Sequence, residues 1–365
     1  MTDQLVRWLV RDAPSVRVGR GLELIDRDLQ VLDEITELEG GTIRRDSYAV
    51  LHATAELDIA RELAWGRGIV RPYLTLASGN IRGVFRLGAY FLNTPRRSLG
   101  RRPGLYRVQG YDYLHGLTAR IGEAYAVPAG APVLEHIIGI LQGLGYTQYV
   151  VDQGAADRVV PTPGKAWALI DDPTWLGVIN DLLGSIGYQG IWTDWDGRLR
   201  IEQYHRPIDR PAEWVYDTLP DTSMLLPDRE IEADFFDAPN AWTFYRSNMP
   251  DDAQPTPGNG LYRYVNQTVG PTSVEARDRV IPAPSVGLDV DSQDALVAAA
   301  QSQIDADMAI TTTVTAPTGL NPLHWHMDRV DVTDPEIGPP FHALVSAWEL
   351  PLAGRSMQQT WTMIQ

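Results

Sequence analysis

The sequence predicts an α+β fold in which strands predominate, on three observations. Val, Ile, Leu and Thr are dense over residues 16–63 with stretches that alternate at period two, three apolar segments keep helical spacing, and prolines and glycines punctuate the text between them. At 365 residues, 44% hydrophobic and 9% aromatic, the chain has room for two or three domains and enough apolar content to pack them.

Tyr48, Val50, His52 and Thr54 alternate with Ala49, Leu51, Ala53 and Ala55, the signature of a half-buried strand, and Gly40-Gly41 is expected to turn the chain between two such strands. Residues 81–92 and 105–111 read as hairpin strands on either side of a Pro/Arg/Gly loop. A helix is expected from Pro132, in the favoured first-turn position, to Gly145, with Val133, Ile137, Ile140, Leu141 and Leu144 on one face. A second runs from Asp172-Pro173 to Gly187 with Leu176, Ile179, Leu183 and Ile186 in the same spacing. Both pass through Gly-Tyr into a strand, as any glycine-capped helix before a strand does; a duplicated helix-strand unit is the alternative.

Asp196-Gly197 between two strand-like runs is a hairpin signal, because the turn needs positive φ at its centre. A third helix is expected from a cap at Asp291 through Val297, Ala300, Ile304 and Met308. The Pro- and Asp-rich stretch 250–260 reads as an exposed loop that tolerates deletion. Residues 326–332 and 341–365 return to strand-like text that would close a barrel or sheet. The division expected is a first β-rich domain over 1–120, an α/β domain with two short helices and a hairpin over 121–205, and a second β-rich domain with one helix over 206–365, packing with the first.

Cysteine is absent, which excludes disulfides, thiolate metal sites and a cysteine nucleophile. No apolar run approaches the roughly 18–20 residues of a membrane span, and Asp3 and Arg7 stand where a signal peptide would be apolar. A soluble protein made in a cytoplasm, without a membrane anchor, is the expectation. The net charge of −16 argues against nucleic-acid binding, which needs a positive surface to release counterions. Lys165 is the only lysine, so the basic residues are otherwise arginines, a composition read as that of a GC-rich genome.

Candidate chemistry is sparse. His324-Trp325-His326 would set two imidazoles on one face of a strand, but no neighbour in sequence supplies a third ligand, so a surface strand is preferred to a metal site. In Asp194-Trp195-Asp196-Gly197, a calcium loop with Gly197 at its sixth position would begin at Trp192 and end at Gln203, so both defining carboxylates are missing. Trp192, Trp195 and Trp214 beside Asp194, Asp196 and Glu213 could form a sugar platform with the carboxylate pair of a glycosidase. Nucleophile-elbow, phosphate-loop and zinc-protease motifs do not occur. Neither cofactor nor metal nor catalytic residue is assigned, and a scaffold is favoured over an enzyme. In this acidic chain, Arg96, Arg97, Arg101 and Arg102 crowd one loop, which is either solvated or a docking contact for an acidic neighbour.

The order of the segments 83–92, 106–114 and 125–130, a short helix ending in glycine, then 182–188, 196–199 and 238–242, resembles the baseplate hub proteins of long-tailed phages. The resemblance runs from residue 16 to the third helix, and it rests on order more than on any one motif. It implies a homotrimeric ring of tail-tube-like β-barrel domains with a smaller α/β region, in the virion at the tail tip. Such a ring joins the distal tail protein ring to the central spike or fibre proteins, surrounds the end of the tape measure protein and passes DNA in transit without binding it specifically. Some relatives end in a peptidase or lysozyme domain, for which the segment 348–365 leaves no room. A carbohydrate-binding module for host attachment and a cell-wall glycoside hydrolase stay open as alternatives.

Overall fold

The computed structural model describes residues 3–13, 15–65, 68–97, 104–154, 158–160, 162–205, 207–218, 223–234, 238–247, 249, 254–288, 293–308 and 311–364. After an amphipathic helix α1 (Asp3–Arg11), the chain lays down β1 (Arg17–Ile25), β2 (Val31–Ile35), β3 (Leu38–Asp46), β4 (Ala53–Ile59), β5 (Ile69–Ser78), β6 (Ile81–Arg86), β7 (Tyr90–Leu92), β8 (Arg96–Arg97) and β9 (Tyr106–Asp112). β1 pairs antiparallel along its whole length with β5, and β3, β4 and β9 pair in turn. In β4 the side chains of Ala53, Ala55, Leu57 and Ile59 go inward while Thr54, Glu56 and Asp58 point towards solvent, so the period-two pattern becomes one buried face.

Two expectations fail here. Only Ala53 onward of the alternating text at 48–55 is strand; the preceding residues turn, because Asp46 accepts the amide of Tyr48 at 2.9 Å and so competes with ladder pairing. Tyr48 and Val50 are consequently exposed. Gly40-Gly41 lies inside β3, not between strands: the register shifts between Leu38 and Gly40, and Gly41 has φ 151° with the carbonyl of Glu56 2.4 Å from where a Cβ would stand. The glycines serve a bulge and a close approach, which sequence alone does not distinguish from a turn.

Next come β10 (Tyr125–Pro128), α2 (Val133–Gly143), β11 (Tyr149–Val151), β12 (Gly164–Trp167), α3 (Trp175–Ser185), β13 (Trp192–Thr193) and β14 (Leu199–Ile201). Pro132 is the N-cap of α2; α3 is capped by Thr174, whose hydroxyl accepts the amide of Gly177 at 3.1 Å, and not by Asp172. Gly145 and Gly187 take φ 81° and 78°, and the following Tyr146 and Tyr188 donate their amides back to Leu141 and Leu183, so both helices end in the same way. The expected apolar faces meet in one core: Val133, Ile137 and Leu141 with Leu176, Ile179 and Leu183, packed on Tyr113, Leu114 and Leu117. Each fully buried side chain of that size contributes roughly 1.5–3 kcal/mol.

Then follow β15 (Trp214–Asp217), β16 (Glu230–Asp234), β17 (Ala241–Arg246), β18 (Thr256–Pro257), β19 (Gly260–Val265), α4 (Val274–Arg277), β20 (Val286–Leu288), α5 (Gln293–Met308), β21 (Thr311–Gly319), β22 (Arg329–Thr333), β23 (Phe341–Pro351) and β24 (Ser356–Ile364). By packing, the chain forms two units, residues 1–229 with 315–365, and residues 230–314. In the second, Trp242 and Phe244 of β17 pack against Leu296, Ala300 and Ile304 of α5, the third helix expected. Its expected cap, Asp291, lies outside the described residues, as do residues 250–253 of the expected loop; Thr256 and Pro257 are not loop but pair with β19.

In the first unit β23 lies between β24 and β3, with Trp348 opposite Arg45 and Leu350 opposite Ile43, so the two ends of the chain share a sheet. Its order is β21-β24-β23-β3-β4-β9-β7-β5-β1-β2. The tail-tube-like barrel does not form: among the described residues no sheet closes on itself, because closure needs the two edge strands to pair and β2 pairs with β1 alone. The fold is strand-rich, with large antiparallel sheets that stay open.

Candidate functional site

Asp194, Trp195, Asp196 and Gly197 form the hairpin that their sequence implies. Oδ1 of Asp194 accepts the amides of Asp196 at 3.0 Å and Arg198 at 2.9 Å, its Oδ2 accepts Nε of Arg198 at 2.9 Å, and Gly197 takes φ 92°. The fixed turn leaves Trp195 50% exposed at its apex. Asp196 is held by Arg86 at 3.0 Å, and Arg86 and Arg71 both reach Glu23.

Beside this hairpin is a cavity of about 810 Å³, lined by Trp195 and Asp196, by Glu213 and Trp214 at the start of β15, by Val6 and Arg7 of α1, by Glu23, Val84, Phe85 and Arg86, and by Pro322, Leu323, His324, Trp325 and Asp328. Oε2 of Glu213 accepts the amide of Arg329 at 2.6 Å; burial, and next the charge of Asp328, push its carboxyl above the ordinary glutamate value. Arg7 donates to the carbonyl of Glu213 at 2.6 Å and lies 5.5 Å from the Trp214 ring centroid. Of the six residues expected to make a sugar platform, Trp195, Trp214, Asp196 and Glu213 are brought together. Trp192 and Asp194 are not: Trp192 stacks on His326 with ring centroids 4.9 Å apart, and Asp194 is buried in its own turn.

The strand expected at His324-Trp325-His326 is a loop, and its two imidazoles diverge. His324, 2% exposed, is joined through Nε2 to the hydroxyl of Tyr216 at 2.7 Å and through Nδ1 to Asp328 at 3.1 Å. His326 lies against His52, centroids 4.9 Å apart. A loop loses the alternation that would have put both on one face. Among the described residues no three His, Asp or Glu side chains are grouped to hold a metal ion.

A second cluster went unread in the sequence. Arg45, 1% exposed, places its guanidinium 4.6 Å from the Trp325 ring centroid and donates to the carbonyl of Thr193 at 3.5 Å. Asp112, equally buried, accepts the hydroxyl of Thr193 at 3.0 Å and the amide of Leu114 at 3.0 Å. Burial pushes the Asp112 carboxyl up and the Arg45 guanidinium down, each opposed by the charge of the other. Burial and then Arg45 push His52 down to about 4 and hold His326 well below its ordinary value. Nothing in the text around Arg45 marks it as interior, since arginines in strands face water by default.

Of the four arginines expected in one loop, solvated or docking, Arg96 and Arg97 are not loop but form β8, opposite Arg107 and Tyr106 of β9, with Arg96 exposed. The side chain of Arg97, and Arg101 and Arg102 altogether, lie outside the described residues.

This strand-rich architecture is the fold of solved phage tail proteins. The chain matches the tail protein from Neisseria meningitidis MC58 with a TM-score of 0.65, at 14% identity, over 94% of its own length and 96% of that chain. It matches the 43 kDa tail protein of prophage MuSo2 from Shewanella oneidensis with a TM-score of 0.62, at 11% identity, over 95% and 98%. Prophage tail protein gp18 from Listeria monocytogenes EGD-e matches with a TM-score of 0.54, at 12% identity, over 94% of each chain. At such identities the likeness is one of fold. No protein-family model matches the sequence, and no match was found among curated proteins.

Proposed function

We propose that the chain is a structural subunit of a phage tail tip, the baseplate hub, and that its work is assembly and not catalysis. The observation that carries this reading is the likeness in fold to tail proteins over nearly the full length of both partners. In this reading three copies form a ring that joins the tail tube and distal tail protein to the central spike or fibre proteins. Residues 1–120 and 206–365 are its β-rich parts and residues 121–205 the smaller α/β part. The ring surrounds the end of the tape measure protein, lets DNA pass, and sits in the virion after assembly in the host cytoplasm.

Electrostatics support a conduit. A net charge of −16 keeps DNA from condensing on the wall. Two exposed arginines of the sheet are tied to carboxylates, Arg44 to Glu349 at 2.8 Å and Arg107 to Asp58 at 2.9 Å, which limits their attraction for phosphate. A closed threefold ring requires a heterologous interface, for which Arg96 and Arg97 of β8, with Arg101 and Arg102 that follow in sequence, supply local positive charge. Electron cryomicroscopy of the virions tests the reading: density for the chain in three copies at the tail tip is expected, and a chain missing from virions or placed elsewhere in them would overturn it.

A further inference from the structure

We infer that the cavity beside the Asp194–Gly197 hairpin is a binding site for a neutral saccharide. Its volume, about 810 Å³, lies within the range of small-molecule sites. Trp195 stands half exposed at its wall, and its backbone is fixed, its carbonyl accepting the amide of Gly88 at 3.0 Å and the turn behind it closed by Asp194. A rigid indole face left in water suits the apolar face of a sugar ring. Trp214 lines the same cavity. Glu213, anchored by the amide of Arg329, supplies an acceptor for a hydroxyl proton.

Charge selects among sugars. The cavity wall carries four carboxylates, Glu23, Asp196, Glu213 and Asp328, against two guanidinium groups, Arg7 and Arg86, so an acidic sugar is disfavoured. Binding and not hydrolysis follows because three of the four carboxylates are occupied, Glu23 and Asp196 by arginines and Asp328 by His324 and the amide of Trp325, which leaves Glu213 without the second carboxylate a glycosidase needs. The inference needs only the folded chain and does not rest on the hub reading.

The test uses the full chain, with calorimetric titration and saturation-transfer NMR against chitotetraose and maltotetraose as neutral probes, trigalacturonate as an acidic one and hexa-arginine as a basic peptide. Saturable binding of a neutral probe at millimolar concentration is expected. Trp195→Ala, at a half-exposed position, should weaken it about tenfold without changing the melting temperature. Failure of both neutral probes to bind, binding of only the acidic sugar or the peptide, or binding indifferent to Trp195→Ala would overturn the site.

Discussion

His52 offers the most quantitative test of the buried cluster. Burial and the nearby Arg45 lower its value from 6.5 to about 4, so the folded protein holds it neutral where the unfolded chain would protonate it. A depressed folded value on a base means that the unfolded state binds the extra proton: stability is complete above about pH 6.5 and is lost as pH falls towards 4. The full difference amounts to about 3 kcal/mol, most of which is gone at pH 4.5. His326, held low by the same surroundings, acts in the same direction. Asp112 and Asp194, pushed up by burial, act the other way as they take up protons in the fold. The pH dependence of one protein therefore mixes these terms, and the comparison with His52→Gln isolates one of them. Urea unfolding followed by tryptophan fluorescence reports the first unit, which holds every tryptophan except Trp242. Between pH 7 and 4.5 the parent should lose about 2 kcal/mol or more beyond what the variant loses. Parallel losses in the two proteins would refute the argument that burial beside Arg45 keeps His52 neutral.

Three further outcomes follow from the same geometry. Gly197→Ala should destabilise the first unit by about 2 kcal/mol or more in urea unfolding, because φ is 92° and the new Cβ would lie 2.5 Å from that of Ala89, which cannot swing away. Tyr216→Phe should cost about 1–3 kcal/mol by the same measurement, since its hydroxyl is shared by His324 and Gln359, each at 2.7 Å, and all three are buried. Replacing Arg96, Arg97, Arg101 and Arg102 with Ser should leave circular dichroism and melting temperature unchanged while reducing incorporation into tails partially and in a salt-sensitive way, as rim charges worth about 1 kcal/mol or less each would. Normal numbers of infectious tails containing the quadruple variant would remove the docking role.

The sequence by itself determined the features whose causes lie within a few residues. Asp196-Gly197 makes its hairpin because only a local positive φ is needed, and α2 and α3 end at Gly145 and Gly187 because a left-handed residue closes the last carbonyls. The third helix was legible from its apolar spacing, and the order of segments carried the resemblance that the solved tail proteins bear out in fold. Tertiary structure alone decided which distant segments meet. β23 pairs with β3 across some three hundred residues, and nothing local in Arg45 or Trp348 says that they will be opposite. The same holds for the cavity, where Trp195 and Trp214 come from different elements, and for His324 and His326, which a loop sends to Tyr216 and His52. Turns and caps are set by backbone sterics that each residue carries with it, whereas pairing, burial and the surroundings of a charge depend on the whole set of surfaces that the chain removes from water together.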